Sequence, residues 1–280
     1  MADEEKQLAT KAKTAVGGIA NFSADAGAGM EGADKDSFAI PFLRVLQPTS
    51  PQINEADGQY VEGAKGGMLF NTTTREVYDG KEGVVILPCA FQRRFIQWGP
   101  RGSDRGYLGE YLPEEIDALQ EQGLVVRDEE DRKLYRLSEV GEKPHEKKTD
   151  RVVDTRSHFC IVLDKKGRFL GRMLLALTST QIKKSKQMMT MVDNARIDVD
   201  GVPTKPPTWM NRIIMTTVPE SNDDGNWFGV QFAADGFIDT QELYDSGKAF
   251  HASIKDGKAK ADHSKGEGEA GPGGGSGTSF

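Results

Sequence analysis

The sequence predicts a mainly β (α+β) fold with inserted helices, and three observations support this prediction. Short apolar runs of strand length recur between residues 37 and 256, for example GVVILPCAF, SHFCIVLD and NWFGVQF, and they are rich in β-branched and aromatic residues. Turn-forming residues separate these runs, as in the hairpin spacers DKKG and NDDG. The order of strands, hairpin, helix and closing hairpin is that of an OB-like antiparallel barrel.

Composition divides the chain into three parts. Residues 1–36 contain few large apolar side chains and are expected to form a flexible N-terminal arm. Residues 257–280 form a Gly/Ser-rich stretch, expected to be a flexible C-terminal tail, so both termini are predicted to be disordered. The barrel domain then spans residues 37–256, with an acidic insertion at about residues 103–150.

Three helices are predicted within that domain. The first, Pro113–Gln122, begins with proline, has glutamates in its first turn and stops at a glycine. The second, Ser179–Val192, follows Thr178, which with Gln181 fits the capping-box pattern. The third covers about Gln241–Ile254.

Bulk properties exclude several classes of protein. No apolar run approaches the roughly 20 residues that cross a bilayer, and the charged N-terminus is unlike a secretory signal, so we expect a cytoplasmic protein without a membrane partner. Cys89 and Cys160 lie in apolar runs, which predicts buried free thiols rather than a disulfide or a metal site. No phosphate loop, HExxH, CxxC or GxSxG motif occurs, so we expect a non-enzymatic protein without a cofactor.

The net charge of −7 conceals a local excess of positive charge. Residues 145–192 contain eleven Lys or Arg against four Asp or Glu, whereas residues 103–144 contain six against twelve. A local field, rather than the total charge, attracts a polyanion. An acidic protein can therefore still bind nucleic acid through this block.

The segment FQRRFIQWGPR carries the first candidate site. In a strand, Phe91, Arg93, Phe95 and Gln97 share one face, while Gln92, Arg94, Ile96 and Trp98 share the other, so each face has a cation and a ring. Rings stack on bases and guanidinium groups pair with phosphates, as a sequence-tolerant single-strand groove requires. The alternative is a strand with core aromatics and solvated arginines. The candidates for nucleic-acid binding here are Arg93, Arg94, Phe95, Trp98 and Arg101.

Further cations and one tryptophan extend the candidate set. If the turn after SHFCIVLD lies beside the Arg93 strand, one continuous positive track results; turn charges otherwise serve solubility. Trp227 is either a stacking platform or an anchor for its hairpin. These additional candidates are Lys165, Lys166, Arg168, Arg172, Lys183, Lys184, Lys186 and Trp227.

Several segments together resemble a group of tailed-bacteriophage early proteins. They are PFLRVLQPTSPQ, EGAKGGMLFN, VVILPCAFQRRFIQWGPR, DTRSHFCIVL, LALTSTQIKKSKQMM and TTVPESNDDGNWFGVQF, within residues 40–235. Some proteins of that group are described as single-stranded DNA-binding proteins of the OB-fold type. The resemblance implies a protein that coats single-stranded DNA during phage replication or recombination.

The resemblance also suggests a role for the C-terminus. Proteins of that function typically end in a flexible tail whose hydrophobic tip docks onto replication or recombination proteins, a role that would fall here to Phe280. This chain departs from the pattern, since only Glu267 and Glu269 stand near that tip.

Two other functions remain compatible with the sequence. The main alternative is a non-enzymatic structural or assembly protein of a phage, because β-barrel domains with mobile ends are common there. A two-metal nuclease built from dispersed carboxylates is the other, since its ligands come from separate strands.

Overall fold

Two long antiparallel strands form the centre of the fold. They are β4 (Val84–Trp98) and β8 (Asp150–Leu163), which pair along almost their whole length. A bulge interrupts their register between Pro88 and Ala90. Proline has no N–H to donate to a ladder, which explains why the irregularity falls beside Pro88.

The computed structural model describes residue 29 and residues 40–100, 102–145, 148–223, 225–259 and 261–263. The described residues from Ile40 onward belong to one compact unit. Besides β4 and β8, its strands are β1 (Leu43–Val45), β2 (Leu69–Asn71), β3 (Val77–Tyr78), β5 (Tyr107–Tyr111), β6 (Val125–Arg127), β7 (Leu134–Arg136), β9 (Phe169–Thr178), β10 (Ile197–Val199), β11 (Val202–Thr204), β12 (Asn211–Asn222) and β13 (Gly225–Phe237).

The main sheet has eight strands in the order β13-β12-β4-β8-β7-β6, with β5 beside β4 and β9 beside β8. Every pair in it is antiparallel, and the sheet curls into a half-barrel. A three-stranded sheet, β1-β2-β3, and a two-stranded ribbon, β10-β11, complete the β-structure of the described residues. The predicted hairpins β8–β9 and β12–β13 are both present.

Three α-helices lie among the described residues: α1 (Pro113–Glu121), α2 (Ile182–Asn194) and α3 (Gln241–Lys255). Their positions agree with the sequence prediction, but the predicted capping box at Thr178 is wrong. Residues Ser179–Gln181 form a 3₁₀ turn, and the Thr178 side chain makes no capping hydrogen bond. The Gln181 side chain is instead directed across to β12 and β13, to Glu220 and the backbone of Val230.

Each face of the β4–β8 pair has its own core. One face packs against α2, with Ile86, Cys160, Met173 and Met188 fully buried. The opposite face packs against α3 through a cluster that includes Phe159. Burial of this apolar area, at about 25 cal/mol per Å², is the main stabilising contribution.

The acidic segment 103–150 connects β4 to its direct neighbour β8 and therefore is an insertion between paired strands. It supplies β5, α1 and the β6–β7 hairpin. Its core is a separate small cluster that buries Phe95 together with Ile116, Val125, Leu134 and Val152.

The prediction of a mainly β, antiparallel, barrel-like fold with inserted helices is confirmed. Cys89 and Cys160 are both free and buried, as predicted, and burial raises the pKa of the Cys89 thiol to about 12. Within the described part of the chain, no helix has the length and apolar character needed to span a bilayer.

Candidate functional site

A groove of about 840 Å³ runs along the end of the main sheet. It opens where β9 ends as a partner of β8, at Thr178 opposite Thr155, before β7 takes over at Val152. The groove is lined by residues 42–45, Gln47 and Gln59, by Ile96, residues 98–100, Gly102, Ser103 and Arg105, by Arg151, Val153 and Thr155, by residues 175–178 and Gln181, and by Trp227, Phe228, Val230 and His263.

The charged side chains that line this groove are all positive among the described residues. Arg44, Arg105 and Arg151 line it, and no Asp or Glu occurs among the described lining residues. Two tryptophans, Trp98 and Trp227, line it as well. The chain as a whole has a net charge of −7, so this wall differs in sign from the average surface.

Trp98 and Arg105 form one end of the groove. The Trp98 ring meets Tyr107 edge-on, with ring centroids 6.0 Å apart. The Asp150 carboxylate lies 3.2 Å from the Arg105 guanidinium and accepts a hydrogen bond of 2.7 Å from Gln97 Nε2. Gly99 and Arg105 approach closely between β4 and β5, since a Cβ at Gly99 would lie 1.7 Å from the Arg105 carbonyl oxygen.

Trp227 and Phe228 form the other end, at the tip of the β12–β13 hairpin. The Gln47 side chain accepts a hydrogen bond from Phe228 N (2.8 Å) and donates one to Phe228 O (3.0 Å). This amide therefore replaces a neighbouring strand along the edge of β13 and fixes the hairpin to the segment that follows β1. Trp227 Nε1 donates a hydrogen bond of 2.8 Å to Glu220.

His263 closes the groove beside Phe42, with ring centroids 5.7 Å apart and an edge-on geometry. Burial, with a smaller contribution from the charge of Arg94, lowers the pKa of His263 to about 4, although the charge of Asp262 acts in the opposite direction. His263 is therefore neutral near pH 7 and contributes a ring rather than a charge.

The structure separates the two faces predicted for the FQRRFIQW strand. Ile96 and Trp98 line the groove, while Arg93 and Phe95 lie on the opposite face. Phe95 is only 6% exposed, in the core cluster of the insertion, so its ring is not accessible for stacking on a base. This outcome matches the alternative of a core aromatic that the sequence left open.

Arg93 is engaged within the protein. Its guanidinium binds Asp154 at 2.7 Å and lies 4.8 Å from the centre of the Phe95 ring. Asp154 also contacts Arg156 at 3.1 Å, so one carboxylate holds two arginines that stand directly opposite each other on β4 and β8. Arg94 lies on the groove side of the sheet but does not line the groove, and its Nε is 3.8 Å from Glu110.

The hairpin-turn cations do not join the groove. Lys165, Lys166 and Arg168 follow the far end of β8 at Leu163, which is eight residues beyond Thr155 and, at about 3.3 Å per residue, roughly 26 Å from it. Arg168 pairs with Asp164 at 3.1 Å. Arg172 lies over the Phe250 ring at 5.5 Å. The expected continuous positive track along this hairpin is therefore not formed.

The three lysines of α2 lie in different surroundings. Lys184 lies 3.7 Å from Glu220, the residue that binds Trp227, so it belongs to the Trp227 end of the groove. Lys183 and Lys186 are exposed and do not line the groove. Arg101 and Phe280 lie outside the described residues.

Sequence reasoning did not select Arg44, Arg105, Phe42 and Gln47 as candidate site residues, and it included Arg151 only as a member of the basic block at residues 145–192. Arg105 and Arg151 stand at the two boundaries of the insertion, next to strands that were correctly identified. That position was an available signal. Arg44 and Gln47 had none, since Gln47 meets Phe228 across 181 residues of chain.

Fold and groove together define a mainly β protein with a cationic, tryptophan-lined groove on a half-barrel sheet. A family model described as "Pam3 phage gp34-like protein" matches residues 10–260. The chain therefore belongs to the Pam3 phage gp34-like family, which confirms the resemblance to phage proteins at the level of a phage family. Searches of curated proteins and of solved structures gave no match.

Proposed function

We propose that this protein binds single-stranded DNA along the groove, with little dependence on sequence, and coats it during phage replication or recombination. One observation carries the proposal: two tryptophans and three arginines line a single groove that has no carboxylate among its described lining residues, in a protein of net charge −7. In this proposal the protein has no enzymatic turnover and no cofactor.

The charge of the groove suits a polyanion. Guanidinium groups release counterions when they contact phosphates, and this release drives much of non-specific nucleic-acid binding. No carboxylate is present among the described lining residues, and the Asp150 carboxylate beside Arg105 offsets only part of the positive charge.

The rings favour unpaired bases over a duplex. Base stacking on an aromatic side chain contributes about 1–3 kcal/mol per base, and any of the four bases can stack. In a duplex the faces of the bases are already covered by their neighbours, so Trp98 and Trp227 would gain no contact.

We expect binding with little dependence on DNA sequence, because the polar side chains in the groove already make hydrogen bonds within the protein. The side-chain amides of Gln47 and Gln181, the groups best suited to reading base edges, already bind protein groups at both ends. The Thr155 hydroxyl donates to Val153 O at 3.1 Å. Gln59 Oε1 accepts a hydrogen bond from Gln52 Nε2 at 3.2 Å, and the Ser103 hydroxyl donates to Pro100 O at 2.8 Å. The tryptophan rings can stack on any of the four bases.

A fluorescence anisotropy titration with labelled oligo-dT tests the proposal. We expect tight binding at about 50 mM salt, and a slope of log K against log salt near −0.7 for each phosphate contacted. Oligo-dA should bind comparably, and a duplex of the same length more weakly. Failure to bind at about 50 mM salt would overturn the proposal and favour the structural or assembly alternative.

Two further parts of the proposal have separate tests. Incubation of labelled single strands with the protein and Mg²⁺ or Mn²⁺ should leave them intact; cleavage would instead support the nuclease alternative. Docking of replication or recombination proteins onto the C-terminal tail would be lost when Phe280 is removed, with oligo-dT binding unchanged.

A further inference from the structure

We infer that Glu220 is a positioning residue that holds the Trp227 indole ring in the orientation in which it stacks on a base. This inference rests on the proposed function and adds a residue that is not itself part of the groove lining.

Glu220 and Trp227 are direct cross-strand neighbours on β12 and β13. Their side chains therefore lie on the same face of the hairpin, within reach of each other. Trp227 Nε1 donates to Glu220 Oε2 at 2.8 Å. An indole ring has a single donor, so this bond fixes the direction of the ring edge.

The carboxylate is itself held by the 3₁₀ turn and by α2. Gln181 Nε2 donates to the same oxygen at 3.0 Å, and Lys184 Nζ lies 3.7 Å from the other oxygen. Gln181 Oε1 accepts from Val230 N at 2.9 Å, which sets the orientation of the amide. Trp227, Gln181 and Lys184, which come from β13, the 3₁₀ turn and α2, thus define the position of one carboxylate.

The backbone leaves room for this arrangement. A Cβ at Gly229 would lie 2.5 Å from the Glu220 carboxylate, so a side chain at this position would displace that carboxylate. The side chain of Glu220 is only 22% exposed, so its charge is partly desolvated. Such a charge is costly unless it is paired, and Lys184 provides the pairing.

This pairing also matters for phosphate binding. An uncompensated carboxylate beside Trp227 would repel the backbone of a bound strand. With Lys184 beside it, Glu220 orients the ring without adding net negative charge to this end of the groove.

A double-mutant cycle of oligo-dT affinity tests the inference. Trp227→Leu should weaken binding by about 5- to 150-fold, the range for one stacked base. Glu220→Ala should weaken oligo-dT binding by a large part of the same factor. The double variant should bind no more weakly than Trp227→Leu alone. Additive losses, or an unchanged affinity of Glu220→Ala, would overturn it.

Glu220→Gln is the conservative variant, because it keeps an acceptor for Trp227 Nε1. We expect affinity closer to wild type than that of Glu220→Ala. In a chain whose only tryptophan is Trp227, made with Trp98→Phe and Trp209→Phe, the steady-state anisotropy of indole fluorescence should fall for Glu220→Ala and be restored by Glu220→Gln. Anisotropy that is equal in all three would contradict the positioning role.

Trp227→Phe provides evidence that does not depend on how Glu220→Ala folds, because it retains a ring and removes only the N–H donor and part of the ring area. Affinity within twofold of wild type for this variant would overturn the inference. If wild-type protein does not bind oligo-dT, the proposed function itself fails. If it binds and Trp227→Leu weakens it while Glu220→Ala does not, only the role of Glu220 fails.

Discussion

The two ends of the β4–β8 pair both carry clustered cations, but in different surroundings. At the groove end, Arg44, Arg105 and Arg151 come from three separate parts of the chain and face a common concave wall. At the turn end, Lys165, Lys166 and Arg168 are consecutive or nearly so, and they surround Asp164. Cations that are close together in the sequence therefore need not line a common site, and cations from distant segments can.

At the turn end, the carboxylate of Asp164 has a local structural role. Asp164 accepts hydrogen bonds from the backbone N–H groups of Lys166 (2.9 Å) and Arg168 (2.8 Å). These bonds, that of Arg168 first, lower the pKa of Asp164. The carboxylate organises the turn, and the cations around it are solvated. The groove end has two tryptophan rings, and its carboxylate, Asp150, lies beside Arg105 outside the described groove lining.

The largest expected effect concerns the stability of the two ends. Phe95→Ala should destabilise the protein by about 3–5 kcal/mol, because it empties the core of the insertion behind the groove. Phe169→Ala, at the 53% exposed ring beside the turn, should stay within about 0.5 kcal/mol. Urea unfolding measures the free energy of unfolding of both variants. Equal losses would contradict the difference in burial between the two ends.

Acid should act on the middle of β8 through His158. Burial, and then the charge of Arg156, lowers the pKa of His158 from 6.5 to about 3. Below pH 6.5 the unfolded chain binds a proton that the folded chain does not, so stability should fall progressively from pH 6.5 towards pH 3. His158→Gln should flatten this part of the pH profile of thermal unfolding. An unchanged profile would show that His158 does not control it.

Oligo-dT affinity should depend on the aromatic ring at the groove end of the β4–β8 pair and not on the ring at its turn end. Trp98→Leu should lose about 1–3 kcal/mol of oligo-dT binding, because one stacked base is lost. Phe169→Leu is the matched control, an exposed ring at the turn end whose loss should leave the affinity unchanged. Circular dichroism should be the same for both variants. If Phe169→Leu weakened binding as much, DNA would have to contact the turn.

The smallest expected effect is that of the turn lysines. Replacing Lys165 and Lys166 together by Gln should change oligo-dT affinity by less than about twofold and stability by no more than about 0.5 kcal/mol, since neither side chain lines the groove. A loss of tenfold or more, measured at about 50 mM salt, would mean that the turn cations form part of the site.

Local patterns predicted the elements well. The β8–β9 and β12–β13 hairpins and the three helices follow from turn residues, strand-length runs and helix signals that lie within a few positions of one another. Side-chain alternation also separated Arg93 and Phe95 from Arg94 and Trp98 correctly. The pattern could not show which face is covered, because the covering cluster around Ile116 comes from the insertion.

The site was harder to predict because it is assembled from distant segments. Trp98 and Trp227 were identified, since aromatic residues in strands are visible in the sequence. Arg44 and Gln47 were not, because only the folded topology brings the segment after β1 against β13. The capping-box error at Thr178 has the same origin, since Gln181 uses its amide for long-range contacts.

The most direct test of the groove as the binding site compares two variants with the same change in net charge. Arg44→Gln with Arg105→Gln removes two groove cations, and Lys165→Gln with Lys166→Gln removes two turn cations. From anisotropy titrations with oligo-dT over a range of salt, the slope of log K against log salt should become shallower by about 1.4 for the groove variant, at about 0.7 per phosphate contact, and stay at the wild-type value for the turn variant. The opposite pattern, or equal changes in both variants, would contradict the account.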